Sequence, residues 1–367
     1  MSNNVTDQMA RAVLDGVFPG AVLLYGTQDK VLFEKAFGAT GTQAPEPITT
    51  QTVFDLASLT KALATAPACM VLAGQDPGFL SRKLKDVLPG FSGSDKQDIT
   101  VAQLLSHTAG FKDWRPYYED LAKLPLGLRK SRHLEIMRNE PLAYAPGKGS
   151  LYSDLGYMVL QHVVEKTAHM TLDVFVREKI YQPLETDDLF YLPFDGVQAS
   201  GPASLPLGRR FAATELCPWR GRILLGEVHD ENAAALGGVG GHAGLFGTAR
   251  GVWRIVAEIV GVYTGQISSK VFQGGVVKEF LTRGRHPGNF VLGFDTPTRP
   301  QSSSGAFFSD ASIGHLGFTG TSFWADLEKE IIVVLLTNRV HPNRRNEKIK
   351  AFRPKIHDTV MQALGWC

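Results

Sequence analysis

The sequence predicts an α+β protein in which an antiparallel sheet is built from both ends of the chain. Near the N-terminus, residues 21–25 and 31–37 have the composition of two short strands joined by a turn. Near the C-terminus, residues 314–327 and 331–338 form a second pair of this kind. The intervening residues 80–182 follow a mostly helical pattern. This order implies one sheet flanked by helices, with a mainly helical lobe inserted between its two halves.

The chain length supports two lobes. With 367 residues the protein can bury a large core. We assign residues 1–72 and 300–367 to a discontinuous sheet lobe and residues 73–299 to a mainly helical lobe. An active-site cleft is expected between them.

Helical periodicity and capping residues predict the main helices. One begins after Thr100 and is ended by glycine, and another follows Ser153 or Asp154, either of which is a suitable N-cap. The predicted helical segments are 5–17, 99–110, 155–167, 248–263 and 351–364. Residues 183–231 are rich in proline, glycine and arginine, which predicts irregular structure.

The segment Phe54-Asp55-Leu56-Ala57-Ser58-Leu59-Thr60-Lys61, followed by an apolar run, predicts a helix that begins near a serine. Lys61 lies three residues after Ser58 and shares its helical face, so the amine can reach the hydroxyl. The helix N-terminus adds unpaired backbone N–H groups and a positive dipole end. These are a nucleophile, a proton acceptor and part of an oxyanion hole. Taken alone, the segment also fits an N-cap serine followed by an exposed lysine.

Composition and charge exclude several function classes. The net charge is +2, and no run of Lys and Arg with interleaved aromatic residues occurs, so nucleic-acid binding has no support. No stretch is long and apolar enough to span a bilayer. The three cysteines are too scattered for a zinc site, and neither a metal nor a cofactor is expected. No secretory signal is recognisable, which predicts a cytoplasmic protein, or a periplasmic one if a leader was removed.

Two further motifs support a catalytic role for Ser58. Tyr152-Ser153-Asp154 stands just before a predicted helix, and Gly314-His315-Leu316-Gly317-Phe318-Thr319-Gly320-Thr321 stands on a predicted strand. Together with Ser58-Leu59-Thr60-Lys61, these segments resemble the three motifs of the penicillin-recognising serine hydrolases. That superfamily contains class C β-lactamases, D-Ala-D-Ala carboxypeptidases, D-aminopeptidases and related serine esterases. The resemblance covers almost the whole chain and implies the β-lactamase/transpeptidase-like fold.

The resemblance also implies roles for individual residues. Tyr152 would exchange a proton with Ser58 or the leaving group, and the N–H of Phe318 would join that of Ser58 in the oxyanion hole. Strand alternation places His315, Gly317 and Thr319 on one face. Gly317 would let an acyl group lie along the strand edge, and His315 would offer the substrate a hydrogen bond or, when protonated, a charge. The ordinary alternatives are a half-buried aromatic residue for Tyr152 and a structural histidine for His315.

The chain departs from the better-known motifs at two positions. His315 replaces a lysine, so a permanent positive charge for a substrate carboxylate is missing, which weakens the case for a β-lactamase or a carboxypeptidase. Asp154 replaces an asparagine. A carboxylate near Lys61 would favour the ammonium form, which argues for Tyr152 as the working base.

The sequence therefore predicts a metal-free serine hydrolase that forms an acyl-enzyme at Ser58 and acts on a small ester or amide. The alternatives are a β-lactamase, a D-amino-acid peptidase or carboxypeptidase, and a non-catalytic binding module on the same fold. The expected partner is a small-molecule ester, amide or β-lactam, and the sequence does not determine the oligomeric state. His107, His242 and the segment 228–232 are expected to be structural rather than metal-binding.

Overall fold

A computed structural model describes residues 2–41, 45–194 and 208–366 of the chain. Its α-helices in chain order are α1 (Ser2–Leu14), α2 (Ala66–Gln75), α3 (Leu84–Val87), α4 (Val101–Leu105), α5 (Tyr118–Leu121), α6 (Leu126–Asn139), α7 (Asp154–Ala168), α8 (Leu172–Val176), α9 (Glu231–Ala235), α10 (Ala249–Thr264), α11 (Gly274–Leu281) and α12 (Ile349–Ala363). Two segments, Lys61–Thr65 and Arg177–Tyr181, are π-helical, and Phe79–Ser81 and Pro89–Phe91 are 3₁₀-helical.

The strands are short except for three. In chain order they are β1 (Gly20–Gly26), β2 (Val31–Gly38), β3 (Phe54–Asp55), β4 (Leu189–Tyr191), β5 (Leu216–Cys217), β6 (Arg222–Ile223), β7 (Leu245–Gly247), β8 (Phe290–Val291), β9 (Phe294–Asp295), β10 (Ile313–Leu316), β11 (Ser322–Asp326) and β12 (Ile331–Thr337). Seven of them form the main sheet in the order β2-β1-β12-β11-β10-β9-β8, and every neighbouring pair is antiparallel.

The sheet confirms the predicted fold class, because β1 pairs directly with β12 and so joins the two ends of the chain. The strands β8 and β9 belong to the same sheet although residues 290–295 precede the predicted lobe boundary at 300. The division into two lobes stays a prediction.

Helices cover both faces of the main sheet, which explains why its central strands are continuously apolar. In β12, Ile332, Val334 and Leu336 belong to the larger core, which contains residues of α2, α7 and α10. The alternate residues of the same strand, such as Val333 and Leu335, belong to a second core with α1 and α12. Successive side chains of a strand point to opposite faces, so a strand covered on both sides needs apolar residues at every position.

The helices agree with the sequence predictions except at some ends. Thr100, Ser153 and Thr248 each accept a hydrogen bond from a backbone N–H in the first turn of the helix that follows. The predicted helix 99–110 ends earlier, at Leu105. Within the predicted irregular segment 183–231 only β4, β5, β6 and part of α9 are regular, and residues 195–207 of it lie outside the described residues.

The predicted strand 314–327 is wrong in one respect, because the structure divides it into β10 and β11. A turn over residues 317–321 separates them, closed by hydrogen bonds from the Gly317 N–H to the Thr321 carbonyl and from the Gly320 N–H to the Gly317 carbonyl. Gly320 has a φ of +106°, a conformation that an extended strand does not contain.

No helix in the described part of the chain is long and apolar enough to cross a membrane.

Leu335 on β12 is fully buried between the sheet and the helices α1 and α12. We expect Leu335→Ala to lower the free energy of unfolding by about 2–5 kcal/mol, because it removes apolar contacts and leaves a cavity. Leu14→Ala, at a position 86% exposed, is the matched control and should change stability by less than about 0.5 kcal/mol. Urea unfolding of both variants measures the difference, and equal effects would contradict the described core.

Candidate active site

Ser58 lies on a constrained turn directly after β3. Ala57 has a φ of +49°, an unusual value for a residue with a side chain. The carboxylate of Asp55 accepts the Ala57 N–H at 2.8 Å and the His229 N–H at 2.6 Å, which fixes this conformation from one side. Backbone strain of this kind persists only where the surrounding structure enforces it. The turn leaves Ser58 partly exposed at the start of the helical segment, whereas its neighbours are buried.

Lys61 is fully buried beside Ser58, as the three-residue spacing predicts. Its Nζ donates to Ser58 Oγ at 3.0 Å and to the carbonyl of His242 at 3.0 Å. The same Nζ lies 2.7 Å from Oδ1 of Asp154 and 4.9 Å from the centre of the Tyr152 ring. The bland alternative of an exposed lysine is therefore wrong for this chain.

The charge state of Lys61 follows from these neighbours. Burial by itself lowers the pKa of the Lys61 amine, but the attraction of the Asp154 carboxylate and of Tyr152 outweighs it, and the pKa is raised above the usual value. Lys61 is therefore an ammonium at neutral pH and donates hydrogen bonds to its partners in the resting state. This agrees with the effect expected from the aspartate at position 154.

Tyr152 lies between Lys61 and two aromatic groups at the N-terminus of α7. Burial raises the pKa of its phenol, while Lys61 and the hydrogen bonds with Lys61 and Ser58 lower it, and the net pKa is raised. The phenol is neutral in the resting state. Its ring lies 4.7 Å from the His107 ring and 5.9 Å from the His315 ring, measured between centroids.

His107 contributes to the site in a way that the sequence did not indicate. The sequence predicts only a structural role for it, and it does adopt a φ of +57° in its turn. Its Nδ1 also accepts the N–H of Ser153 at 3.0 Å, which anchors the residue between Tyr152 and Asp154. Burial, together with the charge of Lys61, puts the His107 pKa well below its usual value. The ring is therefore a neutral acceptor that positions the second motif.

The turn over residues 317–321 packs directly behind Ser58. The hydroxyl of Thr319 donates to the Asp55 carbonyl at 2.8 Å, and that of Thr321 donates to the Leu56 carbonyl at 3.0 Å. Among the described residues, neither the Ser58 N–H nor the Phe318 N–H has a hydrogen-bond partner. Two such donors are what an oxyanion hole requires.

The reason for glycine at 317 differs from the prediction that it leaves room for an acyl group along a strand. A Cβ at this position would lie 1.9 Å from Oγ1 of Thr321 and 2.7 Å from the Leu56 carbonyl oxygen. Gly317 is therefore required because the turn approaches the backbone before Ser58 so closely. Thr319 also lies in the turn, so the predicted strand face shared with His315 does not exist.

His315 lies on β10 with only 3% of its surface exposed, and its Nδ1 is 2.9 Å from the Leu316 carbonyl oxygen. Burial, and then the charge of Lys61, lowers its pKa to about 3. His315 is consequently neutral at physiological pH. The low pKa argues against the positive charge expected for the substrate, and the hydrogen bond from His315 to the substrate stays a prediction.

The segment 228–232 braces the site through its histidine and acidic side chains. His229 Nε2 is 3.0 Å from a Glu215 carboxylate oxygen, and Asp230 Oδ1 is 2.8 Å from His242 Nε2. Within the described ranges, no group of three His, Cys, Asp or Glu side chains has the geometry of a metal site. The absence of a metal in the reaction stays a prediction.

Comparison with known proteins places the chain in a family. The profile of the beta-lactamase family matches residues 1–356, and the chain belongs to this family of serine hydrolases. This confirms the resemblance drawn from the three motifs and the β-lactamase/transpeptidase-like fold.

A curated relative extends over most of the chain. A protein of Escherichia coli (strain K12) named "Putative D-alanyl-D-alanine carboxypeptidase" is 30% identical over 365 residues, which cover 92% of this chain and 82% of the relative. A protein of the same description from Salmonella typhi is 30% identical over 359 residues, with the same coverage.

Solved structures of lower identity share the fold. EstCE1, described as a hydrolase with promiscuous acyltransferase activity, is 22% identical and has a TM-score of 0.70, covering 96% of this chain and 98% of that one. An octameric penicillin-binding protein homologue from Pyrococcus abyssi is 17% identical with a TM-score of 0.75, covering 100% of this chain and 78% of that one.

At Gly317 the turn lies against the carbonyl of Leu56, with no room for a side chain. We expect Gly317→Ala to push the turn away from Leu56 and to lower the free energy of unfolding by about 1–3 kcal/mol, the usual cost of overpacking. Gly275→Ala is the control, because a Cβ there meets nothing within 4 Å and lies in α11, where alanine favours the helix. Thermal unfolding compares the two, and a Gly317→Ala variant as stable as the wild type would refute the described packing.

Proposed function

We propose that the protein hydrolyses a small ester or amide through a covalent acyl-enzyme at Ser58. The observation that carries this proposal is the contact of the buried Lys61 ammonium with Ser58 Oγ at 3.0 Å and with Asp154 at 2.7 Å, beside Tyr152. Acylation of a serine requires a base and a charge-stabilising group within hydrogen-bond reach of its hydroxyl, and Tyr152 and Lys61 are the groups that we assign to these roles. Membership of a serine hydrolase family supports the same conclusion.

The roles of the residues follow from their charge states. Because Lys61 is an ammonium, it cannot accept the Ser58 proton in the resting state. The base that we assign is the phenolate of Tyr152, a minor form because the Tyr152 pKa is raised, and the neighbouring Lys61 ammonium stabilises it. As Ser58 Oγ bonds to the acyl carbon, its proton passes to Tyr152 and then to the leaving group, whose bond to the acyl carbon breaks. In deacylation the oxygen of a water molecule bonds to the acyl carbon while its proton passes to Tyr152. The bond between the acyl carbon and Ser58 Oγ then breaks, the proton moves from Tyr152 to Ser58 Oγ, and the acid is released.

The developing negative charge on the acyl oxygen needs donors. The N–H groups of Ser58 and Phe318 are unpartnered in the described structure and belong to segments joined by the hydrogen bonds of Thr319 and Thr321. We assign these two N–H groups to the oxyanion hole. A donor of this kind contributes about 2.7–4 kcal/mol to the transition state when it is well aligned.

The neutral state of His315 favours an uncharged ester or amide over a substrate that ends in a carboxylate. Burial keeps His315 from supplying the positive charge that a terminal carboxylate attracts. Arg344, whose guanidinium lies 5.8 Å from the centre of the Phe318 ring, is already paired with Glu215 and Glu231. Its charge is compensated within the protein and is not free for a substrate.

A D-alanyl-D-alanine carboxypeptidase is the second candidate. It is favoured by relatives described as putative D-alanyl-D-alanine carboxypeptidases, which are 30% identical and match most of the chain. The neutral His315 counts against it. The neutral His315 also counts against β-lactam hydrolysis, because a β-lactam carries a carboxylate. A non-catalytic binding module would not need the contact between Lys61 and Ser58.

We expect Ser58→Ala to reduce hydrolysis of a short-chain nitrophenyl ester by roughly 10⁴-fold or more, because the covalent step is lost. Ser131→Ala changes an exposed serine of α6 and should retain full activity. Parallel assays with a chromogenic cephalosporin and a D-Ala-D-Ala peptide distinguish the candidate substrates. Ester turnover that survives in Ser58→Ala would sink the assignment. A wild-type enzyme that a reactive phosphonate fails to label at Ser58, as read by mass spectrometry, would sink it as well.

We expect Asp154→Asn to move the pH–rate profile for that ester to lower pH. The Asp154 carboxylate raises the pKa of both Lys61 and Tyr152. Its removal therefore lowers the pH at which Tyr152 ionises and the pH at which Lys61 loses its proton, so both limbs shift in the same direction. Asp187→Asn, at a side chain 93% exposed, is the matched control. An unmoved profile would disprove the role assigned to Asp154.

A further inference from the structure

In the region where α12 packs on β10 and β11, five buried polar side-chain atoms have no hydrogen-bond partner among the described residues. Native interiors rarely leave such atoms unsatisfied, so a concentration of them indicates ordered water or a bound ion. None of them belongs to the Ser58 site. They are Ser312 Oγ, Ser322 Oγ, Trp324 Nε1, Arg353 Nε and His357 Nε2.

Three of these residues belong to one face of the sheet. Ser322 and Trp324 are two residues apart on β11, so they share a face, and Trp324 belongs to the core that α12 covers. Their partners on β10 are Leu316 and Gly314, and the Trp324 ring fills the space above Gly314. Ser312 precedes Gly314 by two residues and continues the same side of the sheet.

The other two residues lie one turn apart on α12. Arg353 and His357 are four residues apart and therefore share a helix face. Arg353 Nη2 donates to the Thr321 carbonyl at 3.3 Å, which places its guanidinium at the end of β11 that carries Ser322. His357 and Trp324 both contact the ring of Phe308, with centroid distances of 6.0 and 6.4 Å. His357 Nδ1 lies 2.9 Å from the Ser303 carbonyl oxygen, so its Nε2 is an acceptor when the ring is neutral.

The guanidinium of Arg353 carries an uncompensated charge. It is 5% exposed and makes no ion pair with a described carboxylate. Burial, and then the neighbouring cation Arg339, lowers its pKa to about 10. The acidic residues of this region are used elsewhere, since Asp326 binds the N–H and hydroxyl of Ser309 and Asp358 binds the N–H of Ala306. A buried cation without a partner is costly.

We propose that a small monovalent anion such as chloride binds between α12 and β11, held by Arg353 Nε, Trp324 Nε1 and the hydroxyl of Ser322. These groups offer one charged and two neutral hydrogen-bond donors. An anion can accept all three hydrogen bonds, and no described protein atom accepts any of them. His357 Nε2 and Ser312 Oγ, the other two unpartnered atoms, are not part of the proposed donor set. The anion lies behind the turn 317–321, because Arg353 also holds the Thr321 carbonyl.

The test is the thermal unfolding of the full chain in sodium chloride or sodium bromide against sodium gluconate at equal ionic strength. Gluconate is too large for a site enclosed by buried side chains. A ligand that binds only the folded state raises Tm with the logarithm of its concentration, so Tm should rise by several degrees in halide and not in gluconate. Bromide should also give an anomalous diffraction peak between α12 and β11.

Variants assign the effect to the site. Trp324→Phe keeps the aromatic packing but removes the N–H, and Arg353→Met removes the charge, so both should lose most of the halide-dependent rise. If Arg353→Met fails to fold, the halide dependence of Trp324→Phe alone tests the site. Lys355→Met removes an exposed charge from the same helix and should keep the full rise. Equal Tm values in halide and gluconate, a rise that Trp324→Phe leaves intact, or density for water alone would each overturn the proposal.

Discussion

The ammonium group of Lys61 joins three distant parts of the chain. Its acceptors are Ser58 on the turn after β3, the His242 carbonyl in the glycine-rich loop before β7, and Asp154 at the start of α7. A charge taken fully out of water must be compensated, and loss of one partner of such a pair costs about 3–5 kcal/mol. The packing of α7 and of the glycine-rich loop therefore depends on the same group that contacts the proposed nucleophile.

The main sheet contributes to the site through the turn that ends β10. Its threonine hydroxyls bond to the backbone before Ser58, and Arg339 donates to the Phe318 carbonyl from the other side. Hydrogen bonds to the backbone before Ser58 and from Arg339 therefore fix the turn on two sides. Donors at an oxyanion hole act best when they do not reorganise during the reaction, and these hydrogen bonds supply that rigidity.

Family membership and local chemistry contribute different information. Membership of the beta-lactamase family establishes a serine hydrolase fold, which relatives and structural neighbours with different described activities share. A shared fold hosts many substrates, so specificity has to be argued from the site. At this site the proposed preference for an uncharged substrate depends on the neutral His315.

The sequence by itself determined the α+β class, most helix starts and the contact between Ser58 and Lys61, because capping, periodicity and a three-residue spacing are local properties. Only the tertiary structure showed that residues 317–321 form a turn, since the hydrogen bonds of that turn to the backbone of Leu56 join positions far apart in the chain. The same is true of His107, whose neutral state and contact with Tyr152 arise from burial. Charge states follow from desolvation and from neighbours on other elements, and a linear pattern contains neither.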